Sequence, residues 1–235
     1  MVDEAAYTVP PGIAAVSFDL DETLFACAPV LAKAEASLHM FMASRYPALK
    51  TRLDDVTLAA YVARVLEAHP HRHWDVSFLK HEALALACAD VEAIPPEAAR
   101  ECFEHFLHER STHCEGHLFD GVVPALAALR ARGLRLATIS NGNADPARVH
   151  SLAGLVEVHV SAAEAKAAKP HAAPFALLAS KLGLKPQQIM HVGDDYQADV
   201  LGAKAAGFGG AVWISTFTGS DDVADAVLES VAQLR

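Results

Sequence analysis

The chain has 235 residues, of which 52% are hydrophobic, so it can form one large domain or a core with an inserted lobe. Its formal net charge of −10, with no basic block to offset it, argues against a general nucleic-acid or anionic-membrane binder. No apolar run reaches the roughly 18 residues that span a bilayer, and the four cysteines form no CxxC pair. We therefore expect a soluble cytoplasmic protein with reduced thiols and no nucleic-acid or membrane partner.

The first predicted element is a buried strand that leads into two acids. Ile13, Val16 and Phe18 favour a β-strand, and Asp19 and Asp21 follow it two positions apart. Two carboxylates this close repel each other unless a cation lies between them or one of them holds a proton. Both conditions are typical of phosphoryl-transfer chemistry.

The next part of the chain, from about residue 29 to residue 110, is predicted to be helical. Apolar residues recur at intervals of three and four, as in Leu31, Leu38 and Met42, and β-type alternation is absent. Breaks that contain proline divide the segment. The predicted helices are Pro29–Tyr46, Asp54–Ala68, Trp74–Ala89 and Pro96–Arg110.

From Gly121 onward, helices alternate with short apolar strands, an order typical of a doubly wound parallel sheet. The predicted strands are Leu134–Ile139, Val156–Val160, Gln188–Val192 and Ala211–Ile214. The predicted helices are Val122–Arg132, Asp145–Leu152, Pro174–Leu182, Gln197–Ala206 and Asp222–Leu234. The fold class is therefore α/β: a doubly wound, parallel, five-stranded Rossmann-like sheet with an inserted four-helix cap domain.

The connectivity assigns the first strand to the later sheet. Residues 1–25 and 119–235 form the predicted catalytic core, and residues 26–118 form the cap domain inserted after the acidic pair. In open parallel sheets the ligand crevice lies beyond the carboxyl ends of the strands. Three of the five predicted strands end there in polar residues, namely Asp19 with Asp21, Ser140 and Asp194.

The acidic pair has the composition of a nucleophile with its acid–base partner. A carboxylate at Asp19 can attack phosphorus and form an aspartyl-phosphate, which divides one difficult displacement into two easier ones. Asp21 can protonate the leaving oxygen and then activate water for the second step. We expect Mg²⁺ to be held by the Asp19 carboxylate, the Asp21 backbone carbonyl and the Asp194 carboxylate, with waters completing an octahedron.

Phosphate binding is expected from the turn after the second strand and from a lysine. Ser140 and the free amides at Asn141 and Gly142 can donate hydrogen bonds to phosphate oxygens, as turns that precede a helix often do. Lys169 can balance the phosphate charge and hold Asp19 ionised. The position before Pro170 favours Lys169 over Lys166 for this role.

Each of these residues also has an ordinary structural interpretation. Acids after a strand can cap the next helix, and Ser-Asn-Gly sequences make ordinary turns. Most lysines are solvated, and the acids near 194–199 can serve a helix dipole. The occurrence of all four features in this order, at the predicted strand ends, favours the catalytic interpretation.

The motifs resemble those of the haloacid dehalogenase superfamily of hydrolases over nearly the whole chain, including a helical cap of the type inserted after the first motif. They are Asp19-Leu20-Asp21-Glu22-Thr23, Ser140 after an apolar strand, Lys169-Pro170, and Gly193-Asp194-Asp195 with Asp199. The resemblance implies Mg²⁺-dependent phosphomonoester hydrolysis through a phosphoaspartate.

The resemblance also implies roles for four neighbouring residues. Leu20 is expected to lend a backbone amide to the phosphate, and Thr23 to orient the catalytic turn. Asp199 is expected to support the outer shell of the metal. Asp195 departs from the serine or threonine often found there, and its carboxylate is a candidate for part of a metal role.

The family contains competing activities. Dehalogenases usually lack an acid at the position of Asp21 and need no metal, so Asp21 and Asp194 favour a phosphatase. A phosphosugar mutase stays open because it shares the motifs, as does a non-catalytic binding protein on the same scaffold.

Short stretches of the chain suggest a substrate class, a small-molecule phosphate ester. They are similar to bacterial flavin-pathway phosphatases, which act on flavin mononucleotide and a ribitylaminouracil phosphate. Nucleoside monophosphates, pyridoxal phosphate and sugar phosphates are alternatives, and the protein is expected to be a monomer or a homodimer. The similar stretches are Pro29-Val30, Tyr46-Pro47-Ala48-Leu49, Ser140-Asn141-Gly142-Asn143-Ala144 and His191-Val192-Gly193-Asp194-Asp195.

Overall fold

The centre of the molecule is a parallel β-sheet. A computed structural model describes residues 6–50, 55–217 and 221–235. Within these residues, six strands pair in the order β3-β2-β1-β4-β5-β6, and every pair is parallel. The strands are β1 (Ala15–Phe18), β2 (Arg135–Ser140), β3 (Val158–Ser161), β4 (Ile189–Gly193), β5 (Gly210–Ile214) and β6 (Ala226–Leu228).

Helices pack on both faces of the sheet, as expected for a doubly wound fold. Successive strand residues point to opposite faces. Val16 and Phe18 therefore join one hydrophobic cluster with α6, while Ala15 joins another with α8 and α9. These elements are α6 (Val122–Ala131), α7 (Ala162–Ala165), α8 (Ala172–Leu182) and α9 (Gly202–Ala205).

The chain between β1 and β2 is helical, as predicted, and has a hydrophobic cluster of its own. In α1, buried Val30, Ala34, Leu38 and Met42 recur every four residues, which places them on one face of the helix. An antiparallel bridge between Phe25 and Leu118 joins the points where the chain leaves and re-enters the sheet region. The helices are α1 (Cys27–Arg45), α2 (Pro47–Lys50), α3 (Asp55–Ala68), α4 (Val76–Ala89) and α5 (Ala98–Cys114).

These cap helices lie close to their predicted positions. The four-residue helix α2 was not predicted, and Asp54, the predicted start of the second helix, lies outside the described residues. The division of the chain at residues 25/26 and 118/119 stays a prediction. Within the described residues, no helix has the length and apolar character that crossing a bilayer requires.

The predicted helix Asp222–Leu234 is wrong, and the sheet formed by the described residues has six strands where five were predicted. The apolar residues that predicted this helix lie in strand β6 and in a short 3₁₀ turn that follows it. The Asp225 carboxylate accepts a hydrogen bond from the Ala211 amide at 2.7 Å, and the Asp225 amide donates to the Ala211 carbonyl. These contacts with β5 satisfy the backbone as a strand, which local spacing cannot reveal.

Two further helices differ from expectation. The helix predicted at Asp145–Leu152 is wrong, because only Pro146–Arg148 forms a 3₁₀ turn and Val149 is extended. The helix predicted at Gln197–Ala206 is present but begins as a π-helical turn over Tyr196–Leu201 before α9. Such π-turns occur often at functional sites, and this one contains Asp199.

Candidate active site

Three strand ends converge where the sequence predicted the site. Phe18 of β1 pairs with Thr138 of β2 on one side and Val192 of β4 on the other. The residues that follow each strand therefore meet at one edge of the sheet. Asp19 is buried there, and its amide donates to the Val192 carbonyl at 2.8 Å.

A buried lysine connects two of the acids. The Lys169 ammonium donates to Asp19 Oδ1 at 2.6 Å, to Asp199 Oδ1 at 2.6 Å and to the Ile139 carbonyl at 2.7 Å. The Lys169 side chain is only 2% exposed. All three ammonium protons thus have an acceptor, so the lysine is fixed beside Asp19 rather than solvated.

The hydrogen-bond chain continues under the sheet through residues that the sequence analysis did not identify. His191 Nε2 lies 3.0 Å from Asp199 Oδ1, and His191 Nδ1 lies 2.8 Å from the Ser17 hydroxyl. Both His191 and Ser17 are fully buried on neighbouring strands. We call Lys169, Asp19, Asp199, His191 and Ser17 the edge network. A polar residue inside an apolar strand was the available signal, but many buried polar residues have no such role.

Burial and nearby charges shift the pKa values of the two carboxyl groups that contact Lys169 in opposite directions. Burial raises the pKa of Asp19 to about 7, since the Lys169 ammonium offsets only part of the desolvation and Asp199 adds repulsion. Burial also opposes ionisation of Asp199, but Lys169 and the His191 hydrogen bond outweigh it, and the pKa of Asp199 lies below its ordinary value. Asp199 is therefore the carboxylate that neutralises the lysine, and Asp19 needs a further positive charge to ionise fully at neutral pH.

Three carboxylates are close enough to hold one metal ion. One oxygen each of Asp19, Asp194 and Asp199 lies within 4.8 Å of the others. Oxygen ligands of this kind suit Mg²⁺. Asp194 is oriented from two sides, because Thr23 donates to its Oδ1 at 3.1 Å and Trp213 donates to its backbone carbonyl at 2.9 Å.

Other residues named as metal or phosphate ligands have additional structural contacts. The exposed Asp195 carboxylate accepts from the Gln197 and Ala198 amides and so caps the π-turn. Asn141 exchanges two hydrogen bonds with the backbone of Lys169, at 2.8 and 3.0 Å, and so fixes the lysine loop.

The remaining members of the predicted set lie at the same edge. Ser140 accepts from the Gly142 amide at 2.9 Å. Leu20 is fully buried, and its carbonyl accepts from the Thr23 and Leu24 amides of the turn.

Two glycines are required by close approach at this edge. A Cβ on Gly193 would lie 2.2 Å from Asp199 Cγ, and one on Gly142 would lie 2.3 Å from Asp21 Oδ2. Real side chains never approach so closely, so each glycine lets a carboxylate pass against the backbone. The need for glycine at position 142 is therefore steric, and the role of Gly142 as a phosphate ligand stays a prediction, because its amide donates to Ser140 here.

The Asp21 side chain contacts the cap. Arg110 of α5 donates from Nη2 to both Asp21 oxygens at 2.7 Å and from Nη1 to Asn143 Oδ1 at 2.6 Å. The Arg110 side chain is 3% exposed. A cap residue thus holds the predicted acid–base group through charge-assisted hydrogen bonds, which are stronger than those between neutral groups.

The sequence analysis missed Arg110 as a functional residue and used it only as the end of a predicted helix. A signal was present. Ala98, Cys102, Phe106, Arg110 and Cys114 are all buried and recur every four residues along α5. A charged residue in the apolar stripe of a helix needs a buried partner.

Two adjoining cavities open at the site. One, of about 240 Å³, is lined by Asp19, Lys169 and Asp194. The other, of about 350 Å³, lies against the cap, and Glu35, Lys80 and Arg110 line it. We call them the catalytic cavity and the cap cavity. Asp21, Cys27, Asn141 and Gly142 line both, so the two cavities adjoin.

Comparison with known proteins identifies the family of this chain. The model of the haloacid dehalogenase-like hydrolase family matches residues 13–207. A ribitylaminouracil phosphate phosphatase, 5-amino-6-(5-phospho-D-ribitylamino)uracil phosphatase YigB of Escherichia coli K12, is 29% identical over 86% of this chain and 83% of its own length. A phosphoglycolate phosphatase of Yersinia pseudotuberculosis is 31% identical over 83% of this chain and 78% of its own length.

Solved structures agree on the fold. A structure described as the 2-haloacid dehalogenase of Pseudomonas syringae pv. tomato DC3000 matches with a TM-score of 0.81 and 31% identity, covering 94% of this chain and 96% of its own. A phosphatase structure from Thermococcus onnurineus matches with a TM-score of 0.63 and 22% identity over 93% of this chain and 94% of its own, which supports the fold alone. The similar proteins thus carry both dehalogenase and phosphatase names.

Proposed function

Because the chain belongs to the haloacid dehalogenase-like hydrolase family, we propose that it is a Mg²⁺-dependent phosphatase that cleaves a small phosphate monoester through a phosphoaspartate. One observation carries this proposal. Asp19, Asp194 and Asp199 converge around the buried Lys169 ammonium at a single sheet edge. A nucleophilic carboxylate that can also bind a metal, a second carboxylate ligand, an outer acid and a phosphate-balancing cation are then in one place.

In this proposal Asp19 attacks phosphorus through the carboxylate oxygen that Lys169 does not hold. The P–O bond to the leaving group breaks as the new P–O bond to Asp19 forms, and Asp21 supplies the proton that the leaving oxygen takes. Water then attacks the phosphoaspartate, and Asp21 accepts its proton. Lys169 neutralises the phosphoryl oxygens, and the Ser140 hydroxyl holds them with the amides at residues 20 and 141. The Gly142 amide, which donates to Ser140 in the free protein, would join them by exchanging that acceptor for a phosphoryl oxygen.

The residues fit Mg²⁺, which would supply positive charge at the phosphoryl group and at Asp19. Asp19 and Asp194 are the proposed side-chain ligands, with the Asp21 carbonyl as a third. Their chemistry supports this, since burial raises the pKa of both Asp19 and Asp194, and a cation between them favours their charged forms. Asp199 is already paired with Lys169 and His191, which supports an outer role, and Asp195 is proposed there as well.

The Asp21 contact with Arg110 is compatible with an acid–base role only if the contact loosens during turnover. Both Asp21 oxygens accept hydrogen bonds from Arg110 here. A hinge flanking the cap at Phe25 and Leu118 would allow such movement, as lids in enzymes do. We accordingly propose residues 26–118 as the moving cap and residues 1–25 and 119–235 as the catalytic core.

The proposed substrates are small phosphorylated metabolites. The curated relatives are phosphatases of a ribitylaminouracil phosphate and of phosphoglycolate, and flavin mononucleotide is a further candidate from the sequence motifs. We place the enzyme in the cytoplasm, in keeping with four free cysteines, as a monomer or homodimer.

The test is a panel of phosphate esters assayed with Mg²⁺ and with a chelator. The panel contains p-nitrophenyl phosphate, flavin mononucleotide, phosphoglycolate and a hexose 1-phosphate, and free phosphate and isomerised product are both measured. Asp19→Asn should abolish phosphate release while the fold is retained, whereas Asp120→Asn, at an exposed acid, should not affect it. Equal activity of wild type and Asp19→Asn would rule the mechanism out.

Two other activities have distinct outcomes in the same assay. Isomerisation of the hexose phosphate without net phosphate release would identify a mutase. The similarity to a structure described as a dehalogenase makes halide release from 2-chloropropionate the second control. Halide release without Mg²⁺, and no phosphate release, would replace the phosphatase proposal.

A further inference from the structure

Two residues that line the cap cavity, Arg110 and Glu35, each have a buried polar atom without a hydrogen-bond partner among the described residues. Arg110 uses Nη1 and Nη2 on Asn143 and Asp21, but its buried Nε has no hydrogen-bond partner among the described residues. Buried polar groups of native proteins nearly always have partners. A bound molecule that offers an acceptor would satisfy this N–H.

Glu35, on α1, lines the same cavity. Its Oε1 is paired with Lys80, and the Lys80 ammonium lies 3.8 Å from the centre of the Phe106 ring. The other Glu35 oxygen, Oε2, is buried and has no hydrogen-bond partner within the described residues. A carboxylate oxygen is a hydrogen-bond acceptor, so a donor on a bound molecule would satisfy it.

The charged residues that line this cavity balance one another. Asp21 and Glu35 are acids, and Lys80 and Arg110 are bases. A leaving group with a net charge would leave one of these charges uncompensated in a partly buried site, which is unfavourable. The cavity therefore suits a leaving group that has no net charge but carries both an acceptor and a donor.

We propose that Arg110 and Glu35 select the substrate, and that the leaving group is a small, net-neutral molecule with an oxygen acceptor for Arg110 Nε and an ammonium, amine or hydroxyl donor for Glu35 Oε2. This inference rests on the proposed phosphatase function, since the cap cavity adjoins the catalytic cavity through Asp21, Asn141 and Gly142. A volume of about 350 Å³ is room for roughly a dozen water molecules, so the leaving group is small.

The test uses four esters that separate the two contacts. O-Phosphoserine has both a carboxylate and an ammonium, phosphoglycolate has only the carboxylate, phosphoethanolamine has only the ammonium, and p-nitrophenyl phosphate has neither. The kcat/KM of each ester is divided by that of p-nitrophenyl phosphate for the same enzyme. This ratio removes any general loss that follows from disturbing Asp21.

Hydrogen bonds to charged groups contribute enough for factors of about 10 to 100. In the wild type the ratio should be highest for O-phosphoserine. Glu35→Gln should lower the ratio about 10- to 100-fold for the two esters with an ammonium and leave phosphoglycolate within about twofold. Arg110→Met should lower it by a similar factor for the two esters with a carboxylate and leave phosphoethanolamine within about twofold.

Matched controls lie on the exposed face of α5, the helix that contains Arg110. Arg100→Met and Glu104→Gln break an exposed ion pair with Nη1–Oε1 at 2.9 Å and should leave all ratios unchanged. Circular dichroism of each variant checks the fold. Calorimetric titration of O-phosphoserine into Asp19→Asn, with and without Glu35→Gln, measures the binding contribution without turnover, and Kd should rise about 10-fold or more.

The outcomes separate this inference from the function on which it rests. If the wild type hydrolyses none of the four esters, the proposed function fails. If it hydrolyses p-nitrophenyl phosphate but the ratios are equal, or Glu35→Gln and Arg110→Met change all ratios alike, the phosphatase stands and the selection by Glu35 and Arg110 is wrong.

Discussion

The edge network beneath the sheet and the charged residues of the cap cavity are built differently. In the edge network, Lys169, Asp199 and His191 are almost fully buried, and their polar side-chain atoms have hydrogen-bond partners. At the cap cavity, Asp21 and Glu35 have side chains 23% and 28% exposed. Arg110 Nε and Glu35 Oε2 are buried and find no partner in the part of the chain that the structure describes. A fully satisfied buried network is rigid, which suits phosphoryl chemistry. The cap cavity, with its unpartnered atoms, suits a site where a substrate binds and leaves.

The largest effect should follow from removing the cation of the edge network. Lys169→Met would leave Asp19 and Asp199 buried against each other without compensation, and breaking such a pair destabilises a protein by about 3–5 kcal/mol. Lys166→Met, at an exposed lysine three residues away, should change stability by less than about 0.5 kcal/mol. Urea unfolding in the presence of a chelator measures both, and similar values for the two variants would contradict the contrast.

The contact between Arg110 and Asp21, which lies at the cap cavity and joins the cap to the sheet edge, should show a measurable coupling. In a double-mutant cycle of Arg110→Met and Asp21→Asn, the coupling energy should be about 1.5–3 kcal/mol, the range for hydrogen bonds to charged groups. Urea unfolding of the two single variants and the double variant provides it. Additive effects would show that the cap does not hold Asp21 in solution.

The tight packing of the edge network predicts a steric effect. Gly193→Ala would place a Cβ 2.2 Å from Asp199 Cγ and should lower the free energy of unfolding by about 1–3 kcal/mol, as overpacking does. Gly116→Ala is the control, since a Cβ there meets no atom within 4 Å. Thermal unfolding compares the two, and an equal Tm would refute the steric account.

The smallest effect concerns Cys27, which lines both cavities. Burial, with the Asp21 charge as the next cause, raises the pKa of Cys27 to about 12, and Arg110 lowers it in part. The thiol is therefore neutral at pH 8, and iodoacetamide should modify it at least about a hundredfold more slowly than a free cysteine of pKa about 8.5.

Two substitutions should change the alkylation rate of Cys27 in opposite directions. Asp21→Asn removes a negative charge, lowers the pKa of Cys27 and should speed alkylation, whereas Arg110→Met should slow it. Peptide mass spectrometry identifies the modified residue and follows the rate from pH 7 to pH 10, where it should keep rising. A rate that levels off below pH 9 would be incompatible with so high a pKa.

Much of this site could be predicted because its signals are local in the chain. Asp19 and Asp21 directly follow an apolar strand, and Asp194 follows another, so the parallel-sheet rule alone places them at one edge. The alternation of strands and helices, and the spacing of four in α1, likewise depend on neighbours only. These patterns determined the fold class, the inserted helices and the candidate acids.

What the tertiary structure decided depends on contacts between distant residues. Arg110 meets Asp21 across 89 positions and Lys169 meets Asp19 across 150, and β6 is a strand because β5 satisfies its backbone. Periodicity records which face of an element is buried but not what lies opposite it. The partner of each buried charge, and therefore the chemistry of the cap cavity, is fixed only when the chain has folded.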